Sequence, residues 1–213
     1  RGGLQTEYMG TEWFDNVDSA IDEAKKCNMR PWAYDENGWP SGFVGGKLLE
    51  DERNHAVFLT FEQTNVFPTD EDVLGVYIFT DGMPKLVTAP QNVPYTVIRM
   101  GRDSSYVDTL DADITRKFIE QTHEQYRKRV GFSENMPGFF TDEPQYYRYR
   151  TPWSRKMPAE FERAYGYSVL SVLPALFLDF EGAEELRYDY YLLCHRLFIQ
   201  NFIFAHAVVN NDC

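Results

Sequence analysis

The sequence predicts an α/β chain built of βα-barrel steps, with a small antiparallel β subdomain inserted among them. Three observations carry this. Residues 11–26 have helical period, residues 29–34 read as a short strand, and that strand runs into the acidic loop Asp35-Glu36-Asn37-Gly38-Trp39-Pro40-Ser41-Gly42, the order of one barrel step. The same design returns downstream, where a helical pattern over 111–130 leads to the apolar run Gly138-Phe139-Phe140-Thr141 and then to Asp142-Glu143. Between the two, residues 52–103 change texture to β-branched and aromatic runs parted by turn residues. The chain thus divides into residues 1–51 and 104–213, a partial barrel, and 52–103, a β-rich insertion.

In chain order, Thr11 offers an N-cap, and Trp13, Phe14, Val17, Ala20, Ile21 and Ala24 recur at helical spacing until Asn28 stops the run. In the insertion, strands are expected at 56–61, 73–80, 85–88 and 95–100, and Asp81-Gly82 is a type I′ hairpin signal. Over 111–130, Ile114, Phe118, Thr122 and Tyr126 form one stripe. Asp111 and Asp113 stand at its start and Arg127, Lys128 and Arg129 at its end, each sign suiting the helix dipole, and Gly131 closes it. Pro137 and Pro144 bound the strand 138–141. Pro158 and Gly166 bracket a helix over 158–165, while 168–178 carries Pro174 and reads as broken helix or turn. Residues 183–210 read as a long helix whose Leu186, Tyr190, Leu193, Leu197 and Ala205 should lie against the sheet.

The 213 residues suffice for one domain with a substantial core. Net charge is −12 with a pI of about 4.8, and the longest basic run is a helix terminus, Arg127 to Arg129, so nucleic acid is not an expected partner. No apolar run reaches the roughly 20 residues that span a bilayer, so no membrane partner is expected. Cys27, Cys194 and Cys213 form no CxxC pair; they read as ordinary thiols and leave the compartment open. His55, His123, His195 and His206 form no HxxxH or HxH pair, so structural or surface roles are expected of them and no metal-ligand set emerges. The chain begins at Arg1-Gly2-Gly3 without an initiator Met and ends straight after a helical pattern, which reads as a fragment.

Two strand ends that each carry Asp-Glu suit glycosidic bond cleavage, which needs one carboxylic acid to protonate the leaving oxygen and a second carboxylate as base or nucleophile. Glu143 is the expected general acid. Glu36, or a carboxylate beyond Cys213, is its expected partner, provided that the two strands are neighbours. Trp32, Tyr34, Trp39, Tyr146, Tyr147, Tyr149 and Trp153 offer flat faces to a pyranose, and Asn37, Ser41 and Gln145 offer partners to its hydroxyls. Asp35 and Asp142 either orient their neighbours or touch substrate. The plain alternative for each ring is core packing, and for Asp142-Glu143-Pro144 a solvated turn.

The stretch YDENGWPSGFVGG at 34–46, with RGGL at 1–4, GRDSSYVDTL at 101–110 and GFFTDEPQ at 138–145, resembles bacterial glycoside hydrolases of the α-L-rhamnosidase type, family 106 and its uncharacterised relatives, along nearly the whole chain. The resemblance implies a (β/α)8 TIM-like barrel, usually followed by β-sandwich domains, acting on plant or microbial glycans. RGGL would end the first barrel strand and the DENGWPSG loop would follow the second. This chain would then hold the early part of the barrel, with the remaining strands and the β-sandwich domains as its partners in the full-length protein. Taken alone it is expected to be inactive and aggregation-prone, since a partial barrel leaves open edges. No cofactor is required, although the resemblance admits a Ca²⁺ at Asp35 and Asp142. The expected function is a glycosidase, with α-L-rhamnosides the first substrate. The alternatives are a non-catalytic carbohydrate-binding barrel relative, and a metal-dependent barrel hydrolase, which would need His ligands near strand ends that no strand here carries.

Overall fold

A computed structural model describes residues 5–132, 136–146 and 150–206; RGGL at 1–4, Tyr147, Tyr149 and Cys213, all singled out above, lie outside them. Helix α1 spans Thr11–Lys26 and buries Phe14 and Ile21. Gly10, not Thr11, holds the N-cap position, without a side-chain hydrogen bond. At the other end Asn28 takes a φ of 53°, and the N–H groups of Asn28 and Met29 return to the carbonyls of Lys25 (3.1 Å) and Ala24 (2.8 Å). This is a Schellman closure, which needs a left-handed residue that Asn tolerates. The following strand, β1, is only Ala33–Tyr34.

Strands β2 (His55–Thr64), β3 (Val73–Thr80), β4 (Met83–Leu86) and β5 (Tyr95–Val107) then build an antiparallel sheet. Asp81 (φ 51°) and Gly82 (φ 79°) both lie in the left-handed region, as a type I′ turn between β3 and β4 demands. Helix α2 (Ala112–Gln121) starts on Asp111, whose side chain accepts the Asp113 N–H at 2.9 Å. The helix expected over 111–130 is in fact two. Thr122 (φ −123°, ψ −83°) turns its hydroxyl back onto the Phe118 carbonyl at 2.6 Å, and α3 (His123–Arg129) begins after it. A threonine that bonds its own helix in this way competes with the helical ladder.

Strand β6 is Phe139–Phe140 and β7 is Thr151–Trp153. Helix α4 (Met157–Tyr165) ends on a left-handed Gly166, 3-10 turns occupy 169–171 and 173–176, and α5 (Ala183–Phe198) passes into a π-helical segment, Ile199–Ile203. As the sequence pattern implied, Tyr190, Leu193 and Leu197 of α5 pack on the sheet, against Val57, Leu59 and Ile98. A second core lies around α1, α2, α3 and β6, with Phe14, Phe118, Tyr126, Phe139 and Phe202 at its centre.

The partial (β/α)8 TIM-like barrel does not form. The described residues make a five-stranded antiparallel sheet in the order β4-β3-β5-β2-β7 and a separate parallel pair, β1 with β6. There is no barrel closure, and the helices are too few for alternating βα steps. The reason is visible in strand length. The long runs of β2 and β5 pair in register from Thr64–Tyr95 to Ala56–Asp103, burying Val57, Leu59, Val97 and Ile98, whereas β1 and β6 contribute two residues each. Moreover the chain after Asp142-Glu143 does not extend the parallel pair: β7 adds to β2 antiparallel, Val57 opposite Trp153. The β-rich region therefore takes an edge strand from the far side of the acidic loop and shares its core with α4 and α5.

Candidate functional site

β1 and β6 are neighbours, Ala33 opposite Phe139 and Tyr34 opposite Phe140, so the two acidic loops leave from the same edge. Polar bonds staple them together. The Ser41 N–H donates to the Asp142 carbonyl and the Asp142 N–H to the Ser41 hydroxyl oxygen, both at 2.9 Å. Ser41 Oγ in turn donates to Asp35 Oδ1 and Thr141 Oγ1 to Asp35 Oδ2, both at 2.6 Å. Asp35 is fully buried, and burial pushes its carboxyl up to about 6 although the two hydroxyl donors pull it down. Asp35 and Ser41 thus join the loops and have no exposed surface to offer a sugar.

Glu36 is turned the other way and is equally buried. Its carboxylate accepts the N–H groups of Asn37 (2.8 Å), Gly42 (3.3 Å), Phe43 (2.8 Å), Val44 (2.7 Å) and Gly45. Val44 (φ 57°) and Gly45 (φ 61°) lie in the left-handed region, which curls the chain around the side chain. The residue expected to complete a catalytic pair thus serves as the anion at the centre of its own loop. Glu143 contrasts with it. It is exposed, it holds a φ of 41°, and among the described residues no hydrogen bond or ion pair engages its carboxylate. Left-handed backbone costs a residue with a side chain about 1–2 kcal/mol, and such strain collects at functional sites.

The rings separate into two groups. Trp39 is exposed to 45%, and Trp32 and Phe140 are also exposed; Tyr34 is half-buried, its hydroxyl donating to the Gly38 carbonyl and its ring 5.7 Å from that of Phe140. Trp153, in contrast, is buried in β7 against the sheet core, so core packing is its main role. Tyr146 is half-buried with its ring 5.0 Å from Phe198. Gln145 is tied by its backbone, its N–H donating to the Tyr106 hydroxyl at 3.4 Å and its carbonyl accepting from Thr109 at 2.7 Å. Those bonds hold the acidic loop against the end of β5, beside a cavity of about 390 Å³ lined by Gln145, Tyr146, Arg102, Asp108, Arg150 and Trp153.

Two features of the site were not expected from the sequence. Asp108, in the cavity wall, is buried, and that burial pushes its carboxyl up to about 7 against hydrogen bonds from Ser154 and the Leu110 N–H. It is a third acid placed directly after a strand, and that position was the available signal. Beneath the stapled loops, Asp35 meets His123 and His206, with one ligand atom of each lying within 4.8 Å of the others and His123 Nε2 3.6 Å from Asp35 Oδ2. Burial, then the neighbouring His206, holds the His123 imidazole down to about 3, and burial lowers His206 as well, so both rings are neutral at neutral pH. The residues around Asp35 do not fit Ca²⁺: two of the three candidate donors are imidazole nitrogens, and Ca²⁺ takes six to eight oxygens.

No protein-family model, curated protein or solved structure matches this chain. The likeness to α-L-rhamnosidase-type glycosidases therefore rests on the sequence motifs alone. No helix among the described residues is long and apolar enough to cross a membrane.

Proposed function

We propose that this chain acts on carbohydrate as a glycoside hydrolase, with Glu143 as the general acid and α-L-rhamnosides as the first substrate class. The observation that supports this best is the stapling of the two loops through Ser41 and Asp142. It sets an exposed carboxylate, Glu143, and an exposed ring, Trp39, on loops joined to each other, while Gln145 and Tyr146 lead on to a cavity of about 390 Å³. That volume lies within the range of small-molecule sites, and the wall mixes rings with a few polar groups, as sugar sites require. Carbohydrate binding without cleavage is the second reading, and one observation favours it: Glu36 is bonded through both oxygens to backbone N–H groups, which leaves the acid pair one member short.

A panel of aryl glycosides, headed by the α-L-rhamnoside, tests both readings on a longer polypeptide that contains this chain, the chain alone being expected to be inactive. Cleavage is expected, with Glu143→Gln lowering kcat by about 10²–10⁴-fold, the usual worth of general acid catalysis. A Gln variant that keeps its rate removes Glu143 from the role. Absence of cleavage on every sugar, together with calorimetric binding of a glycan, selects the binding reading.

A further inference from the structure

We propose that Asp35, His123 and His206 form a buried site for a divalent transition metal of the zinc class. The neighbouring groups fix the tautomers of both rings. The Thr122 hydroxyl gives its own proton to the Phe118 carbonyl, so at the 2.9 Å contact with His123 Nδ1 it can only accept, and Nδ1 carries the ring proton. His206 Nδ1 lies 2.5 Å from the Phe202 carbonyl, which also can only accept, so Nδ1 is again the protonated nitrogen. Both Nε2 atoms of the neutral rings are therefore bare lone pairs. Both are buried, and neither has a hydrogen-bond partner among the described residues. One ring nitrogen of each histidine and a carboxylate oxygen of Asp35 lie within 4.8 Å of one another, and His123 Nε2 stands 3.6 Å from Asp35 Oδ2.

Three acceptors facing one another without a donor repel, and a buried acceptor without a partner costs about 1–3 kcal/mol. A cation at their centre removes both penalties. The donor set, two neutral imidazoles and one carboxylate, is the one that zinc and its neighbours in the first transition row prefer. The outer contacts also have the usual form: each imidazole donates its remote N–H to a hydroxyl or carbonyl oxygen, and the carboxylate is held by Ser41 and Thr141. Tetrahedral ligands about 2.0–2.1 Å from zinc stand about 3.4 Å apart, a separation derived from those bond lengths. The Asp35–His123 pair is already near it at 3.6 Å, and no ligand atom of the three is more than 4.8 Å from another.

Phe139, with its ring 4.2 Å from that of His123, and Phe202, 4.4 Å from His206, enclose the cluster. The ion would be enclosed on these sides by protein, with three protein ligands and a fourth position left for another donor. It would tie the end of β1 to α3 and to the helical turn after the π segment, directly below the acidic loops, whether or not the chain cleaves glycans.

The test is metal content after exposure of the purified chain to Zn²⁺ and exhaustive dialysis, followed by Co²⁺ replacement read by visible d–d absorption. A single retained equivalent and a Co²⁺ spectrum of nitrogen and oxygen ligation are expected. His123→Gln and His206→Gln should each weaken binding by more than the roughly 10–100-fold that loss of an outer contact costs, while His195→Gln leaves it unchanged. Because the Gln variants can lose their fold, the native chain supplies an independent readout. Its imidazole ¹⁵N spectrum should show the Nδ1–H tautomer at His123 and His206, with both Nε2 resonances shifting on metal addition. A natively folded chain that retains no metal, folded Gln variants with undiminished uptake, or Nε2 resonances that do not move would each overturn the proposal.

Discussion

Single side chains in this protein are set by what surrounds them more than by what they are. Glu36 and Glu143 occupy corresponding places after β1 and β6, yet one is buried in a ring of N–H groups and the other stands exposed on strained backbone. Asp108 shows a third fate. Its carboxyl, pushed up to about 7 from an ordinary 3.8, keeps its proton in the fold at pH values where the unfolded chain has lost it. Between about pH 4 and 7 the native state therefore binds more protons than the unfolded one, and this residue's contribution to stability falls as pH rises through that window. Across the whole window the loss amounts to about 4 kcal/mol. Asp108→Asn keeps an acceptor for the Leu110 N–H and removes the titration. Urea denaturation should find the variant gaining stability relative to the parent from pH 4 to pH 7.5; a difference that stays constant with pH would show that burial of this acid is not a native-state cost.

At the level of elements, closure residues were the most legible part of the chain. Asn28, Asp81-Gly82, Gly131 and Gly166 were each expected to end or turn a segment, and each does so with φ in the left-handed region. Asn28 gives a clean check, since a β-branched residue tolerates φ of 53° poorly. Asn28→Val should cost about 1–2 kcal/mol, read as a lowered thermal midpoint, whereas Asn28→Gly should be close to neutral. Equal midpoints for the two variants would mean that the Schellman turn does not depend on that conformation. The break at Thr122 was not legible, because the stripe Ile114, Phe118, Thr122 and Tyr126 keeps helical spacing straight through it. A side chain bonding its own helix decides the matter, and that choice leaves no trace in hydrophobic period. His123 is buried just past that break, and no histidine spacing announced the Asp35–His123–His206 cluster because its members lie far apart along the chain.

For the whole molecule, local pairing could be read from the residues and closure could not. The β3–β4 hairpin was readable from Asp81-Gly82, whereas the adjacency of the two strands bearing acidic loops entered only as a condition, which the pairing of β1 with β6 meets. A barrel did not follow from them, since one βα step says nothing of how many more will join it. Nor could any pattern show that Thr151–Trp153 would cross over to pair with β2, because that partner lies nearly a hundred residues upstream. The site was legible to a lesser degree: Trp39 offers an exposed ring, Glu143 is exposed as the plain alternative of a solvated turn had it, and Ser41 and Asp35 turned out to be fastenings between loops. The ring of N–H groups around Glu36 has one more consequence, which concerns time. Backbone amides in irregular loops normally exchange with solvent deuterium quickly, yet those of Asn37, Gly42, Phe43, Val44 and Gly45 all bond to the carboxylate of one side chain. Deuterium uptake should show these amides opening as a single slow unit, and Glu36→Gln should bring all five to loop-like exchange at once, so that one carboxylate sets the clock for the whole loop.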